Sequence, residues 1–103
     1  MPERPWAEGD EDLAERQREY NQKLGQLITT HREMAGILQK DLAKRMGMSV
    51  RQWQRLEAGQ IKHSPPIFFV KLIGDAIGVS LEQLNPDNIR NVDLDILEPP
   101  SAG

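Results

Sequence analysis

Between Gln39 and Gly59 the chain reads QKDLAKRMGMSVRQWQRLEAG, two short amphipathic runs divided by one glycine, and no other stretch restricts the fold as much. In the first run, from Gln39 to Met46, the residues Leu42, Ala43 and Met46 share one side at helical spacing. Lys40, Lys44 and Arg45 fall on the other. Gly47 stops that helix, and Ser49 stands where an N-cap is needed for a second one running to about Glu57, which Gly59 ends. Helices this short, joined this tightly, must cross at close range. Ala43 is small enough to allow it, Gly47 four positions on tolerates the positive φ of a tight turn, and Met48, Trp53 and Leu56 hold the second helix down. Two packed helices with no binding role would match the Ala-to-Gly spacing as well.

The remaining pattern is also helical. From about Asp12 to Gly36 the residues Leu24, Leu27, Ile28, His31 and Ala35 keep helical spacing. Ser64, Pro65 and Pro66 signal another start, for a helix carrying Ile67, Phe69, Val70, Ile73 and Ile77 and closed by Gly78. Ser80 caps a last short helix with Leu81 and Leu84, broken by Asn85 and Pro86. The fold class expected is therefore all-α, with five helices. Beyond them Val92, Leu94 and Ile96 alternate with Asp93 and Asp95, which is a strand pattern. A lone strand must pair, so Asn91 to Leu97 reads either as a dimerisation or partner-binding arm or as an acidic tail with chance alternation. With 103 residues there is room for one domain at 11–86, a disordered acidic arm at 1–10, and an acidic segment at 87–103 whose end is disordered.

Charge is distributed unevenly along the chain. The total is -3, yet Met1 to Tyr20 carries seven acidic against three basic residues, whereas Asn21 to His63 carries eight basic against three acidic, a local +5. Segment asymmetry of this kind points to partners better than the total does. The absence of cysteine excludes disulfide frameworks, thiolate catalysis and cysteine-ligated zinc. No run approaches a membrane span, and MPERPWAEGDED is acidic where a signal peptide is basic and apolar, so the expected location is cytoplasmic. His31 and His63 lie far apart, with no HExxH or paired-carboxylate arrangement, so neither a metal site, a cofactor nor an enzymatic activity is expected.

Over a longer span, Leu24 to Leu84, the sequence resembles the XRE family, helix-turn-helix domains of the Cro and phage-repressor type. LGQLITTHREMAGILQKDLA resembles the opening two helices, MGMSVRQWQRLEAG the turn and recognition helix, and IGVSLEQL the junction of the fourth and fifth helices. The resemblance implies a five-helix, lambda-repressor-like domain that binds operator DNA, usually as a homodimer on a palindromic site. Three positions depart from the family pattern: His31 stands for a Leu, Leu38 for a Ser or Thr that would cap the second helix, and Trp53 for an Ile or Val. The loop from Gln60 to Pro66 is about two residues longer than usual. Arg32 and Glu57 occupy positions that resemble an Arg and Glu pair of some members, which predicts an ion pair between the first and third helices.

If Trp53 and Leu56 face inward, a 3.6-residue period puts Val50, Arg51, Gln54 and Arg55 outward. Arg can pair with guanine O6 and N7, Gln with adenine N6 and N7, and Val can pack on a thymine methyl, so these four are the expected base-contacting residues. Gln39, Lys40, Ser49, Gln52, Lys62 and His63 are expected to contact phosphate. Val92, Leu94 and Ile96 are the expected dimerisation residues. The partners expected are double-stranded DNA and a second copy of the chain, for a transcriptional repressor; the alternative is an antitoxin or adaptor whose terminal segments bind a toxin or other regulator.

Overall fold

The structure, a computed structural model, describes residues 10–88. Four α-helices follow one another: α1 (Asp10–Met34), α2 (Gln39–Arg45), α3 (Val50–Ala58) and α4 (Ile67–Ile77), with a single 3-10 turn at Glu82–Leu84. The expected fifth helix is thus one turn. Ser80 accepts from the Gln83 amide at 3.3 Å, but Pro86 lacks an N–H and forces Asn85 into an extended conformation, φ -86° and ψ 114°. Too few residues remain between cap and proline for a second turn. The described residues contain no strand; Val92, Leu94 and Ile96 lie outside them, as do the first nine positions.

α1 is the longest element, 25 residues or about 37 Å at 1.5 Å per residue. Its buried stripe is Asn21, Leu24, Gly25, Ile28 and Arg32, with Tyr20, Leu27 and His31 half-buried; Ala35 falls beyond the helix end and is exposed, contrary to the helical spacing. Leu24 and Ile28 meet Leu42 and Ala43 of α2, Trp53 and Leu56 of α3, Val70, Ile73 and Ile77 of α4, and Leu84 in one core. Trp53 is the largest fully buried side chain, so its indole is accommodated within the core. α2 turns Leu42 and Ala43 inward and exposes Lys40, Lys44 and Arg45, as its sequence pattern requires.

The start of α4 differs from expectation. Pro66, φ -63° and ψ 153°, is itself the N-cap position, so the prolines precede the helix instead of filling its first turn. Ser64 does not cap α4 but bonds to α1. Ile67, at the first position of α4, is 70% exposed beside Phe68 at 68%.

A close helix approach occurs at Gly25. A Cβ on Gly25 of α1 would lie 2.7 Å from the carbonyl carbon of Glu57 and 2.8 Å from the Leu56 oxygen, so the two helices cross with α3 backbone against a bare Cα. Only glycine permits that spacing.

Candidate nucleic-acid interface

The turn between α2 and α3 is built by local chemistry. Gly47 adopts φ +70°, and the Met48 amide donates back to the Ala43 carbonyl at 2.9 Å, which reverses the chain within three residues. Ser49 then caps α3 with a full capping box: its hydroxyl accepts from the Gln52 amide at 3.1 Å while the Gln52 Oε1 accepts from the Ser49 amide at 2.9 Å. At the other end Gly59, φ +73°, lets its own amide reach the Leu56 carbonyl and the Gln60 amide reach that of Arg55, a Schellman closure. In contrast, α2 has Leu38 at its N-cap and no side-chain cap bond, as the loss of the hydroxyl there requires.

Inside, α3 is fixed by a buried polar hub. Arg32 donates to Glu57 twice, from Nε to Oε2 at 2.6 Å and from Nη2 to Oε1 at 3.1 Å, and from Nη1 to the Ile37 carbonyl at 2.8 Å. The predicted ion pair therefore forms, and both partners are buried, at 7% and 8% exposure. Gln39 adds a bond to Glu57 Oε1 at 2.9 Å, the Thr29 hydroxyl shares its one hydrogen between Oε1 at 3.0 Å and the Gly25 carbonyl at 2.8 Å, and the Trp53 indole N–H donates to Oε2 at 2.5 Å. Burial, the largest single influence, pushes the Glu57 carboxyl up. The hydrogen bonds from Arg32, Gln39, Trp53 and Thr29 together outweigh it and hold the group below the usual carboxylate range. No isolated buried carboxylate could stay ionised here; one with five donors can.

Outside, α3 presents Val50, Arg51, Gln52, Gln54, Arg55 and Ala58 to solvent. Arg51 and Arg55 are one helical turn apart, directly opposite the inward side of Trp53, Leu56 and Glu57, so their guanidinium groups share a single outward line. Gln54 leans toward α2, its Nε2 reaching Gln39 Oε1 at 3.4 Å. Gln52, Arg55 and Lys62 line one cleft of about 600 Å³ floored by Met46, Met48, Ile61 and Phe69. Lys40, Ser49, Lys62 and His63 are exposed as expected, whereas Gln39 is half-buried and spends one amide N–H on Glu57.

Three residues of this arrangement escape sequence reasoning. Thr29 and the indole N–H of Trp53 join the hub through positions chosen for spacing or size alone, and the inward use of Gln39 has no local sign. Asn21, fully buried, accepts from the Ser64 hydroxyl at 2.7 Å. Its signal was available: Asn21 continues the period of Leu24, Gly25, Ile28 and Arg32.

No described helix is long and apolar enough to cross a membrane, and no group of three or more metal-ligating side chains gathers among the described residues. Comparisons with curated proteins and with solved structures return no match. A family model described as a helix-turn-helix domain matches residues 23–86, more than half of the chain, and covers α2, the Gly47 turn and α3 together. With the turn, the capped α3 and the Arg32–Glu57 hub on the same residues, the chain belongs to the helix-turn-helix domain family and is an XRE-type DNA-binding protein.

Proposed function

We propose that the protein is a sequence-specific transcriptional repressor that occupies a palindromic operator as a homodimer, with α3 in the major groove. One observation carries this reading. Of the six arginines among residues 10–88, four have partners within the fold: Arg16 with Asp12, Arg18 with Glu15, Arg32 with Glu57, and Arg45 with the Ala76 carbonyl. Arg51 and Arg55 are the two without a partner among the described residues, and they stand on the outward line of the recognition helix. Free guanidinium groups held on a rigid helix are what bidentate guanine recognition needs.

Val50, Arg51, Gln54 and Arg55 then read base edges, Gln54 being steadied by Gln39. Lys40, Ser49, Gln52, Lys62 and His63 bind phosphate, and Gln39 adds its second amide N–H. The local +5 of residues 21–63 supplies the attraction, while the acidic ends reduce binding to unrelated DNA. For the second copy, the exposed stripe Ile67, Phe68 and Leu72 on α4 is a described apolar surface, alongside the terminal segment with Val92, Leu94 and Ile96.

Selection of bound sequences from a random DNA pool tests the reading. The wild type should enrich a palindrome with half-site centres about 10 bp, or one helical turn, apart. Arg51→Ala should lose about 1 to 3 kcal/mol of discrimination at particular base pairs. Enrichment of no sequence, or unchanged preferences in both Arg51→Ala and Arg55→Ala, would sink it. Sedimentation of the same samples separates the two interfaces: a dimer that survives deletion after Asn88 but not Phe68→Ser places the contact on α4.

A further inference from the structure

The loop between α3 and α4, Gln60 to Pro66, carries Lys62 and His63, yet residues 61–65 take part in no backbone hydrogen bond among the described residues. A loop with no internal ladder has many conformations to lose on ordering. Both of its ends, however, are seated on the same stretch of α1. At the entry, the Gly59 backbone lies so close to α1 that a Cβ there would come within 2.7 Å of the Gln22 Cα. At the exit, the Ser64 hydroxyl donates to Asn21 Oδ1 at 2.7 Å and accepts from Gln17 Nε2 at 3.3 Å. Asn21 is only 1% exposed, and burying a carboxamide costs free energy unless its bonds are made, so this contact is specified and not incidental. Gln17, Asn21 and Gln22 all precede residue 23, where the helix-turn-helix match begins.

We infer that residues Gln17 to Gln22 of α1 form a clamp that fixes the loop bearing Lys62 and His63 against DNA, with Asn21 and Ser64 as positioning residues for phosphate contact. The inference rests on the DNA-binding reading above. It explains how a loop without hydrogen-bonded turns of its own keeps the aim of its cations: the loop is held by α1 residues on either side of it.

The test measures affinity for the selected operator against salt in full-length protein. Lys62→Ala, which removes one phosphate contact, should lower the slope by about 0.9. Ser64→Ala should lower it by a similar amount with base preferences unchanged, the double variant Lys62→Ala/Ser64→Ala should fall no further, and Ser64→Thr should restore the wild-type slope. Backbone NMR order parameters at residues 61–64 should fall in Ser64→Ala while those of α3 stay unchanged. An unchanged slope, unchanged order parameters, or fully additive losses in the double variant, overturns the clamp. If the wild type binds no DNA the functional reading falls and takes the phosphate role with it, while lowered order parameters in Ser64→Ala still uphold the pinning of the loop and unchanged ones overturn that too.

Discussion

The two faces of α3 solve opposite problems with the same kinds of side chain. Inward, Glu57 collects donors from Arg32, Thr29, Gln39 and Trp53; Arg32, Glu57 and Trp53 are buried, with Thr29 and Gln39 at the half-buried edge. Outward, Arg51, Gln54 and Arg55 stand in water, and neither guanidinium has a partner among the described residues. An arginine inside thus serves position and an arginine outside stays available. The difference lies in desolvation: a buried guanidinium needs a paired carboxylate, whereas an exposed one can wait for a ligand at little cost.

That contrast can be broken in order of expected effect. Glu57→Ala leaves Arg32 buried and unpaired and should cost about 3 to 5 kcal/mol in urea unfolding; a loss below 1 would mean that water reaches the hub. Its pH dependence has a fixed sign. Because the folded carboxyl titrates below the usual value of 4.5, the unfolded chain takes up the proton first; the contribution is present above about 4.5 and is lost as pH falls through the folded value. The stability gap between wild type and Glu57→Ala should therefore narrow on acidification, and a gap that widens would refute the pairing.

Gly25→Ala comes next. Alanine gains up to about 1 kcal/mol of helix propensity over glycine, but the new methyl meets rigid α3 backbone, so a net loss of about 1 to 3 kcal/mol is expected in thermal melting. A raised melting temperature would show that α1 and α3 are not in backbone contact. The smallest effect belongs to the outer face: Arg51→Ala should change urea stability by no more than about 0.5 kcal/mol while altering DNA preference, and a larger loss would make Arg51 part of the scaffold.

Much of this was legible beforehand because the signals are local. Gly47, Ser49 and Gly59 act within a few residues of themselves, and the apolar period of α3 separates Trp53 and Leu56 from Arg51 and Arg55 without reference to any other element. The Arg32–Glu57 pair was accessible only through family resemblance, since nothing local connects two residues 25 positions apart. Missed altogether were partners that depend on where helices meet: Thr29 and Gln39 on Glu57, Gln17 and Asn21 on Ser64, and the bare Cα of Gly25 under α3. Ser64 shows the competition directly. A hydroxyl before two prolines is a fair helix cap by local rules, yet the same oxygen bonds a buried carboxamide of α1, and the helix starts at Ile67 without it.

The sequence by itself determined the helices, the turn and the outward line of cations, because caps, glycine angles and a 3.6-residue period are settled within one or two turns of chain. Tertiary structure decided which polar groups are spent and which are left over. The hub on Glu57 forms where α1, α2 and α3 converge, and that convergence occupies Arg32 and half of Gln39, while Arg51 and Arg55, on the far face of α3, have no partner among the described residues.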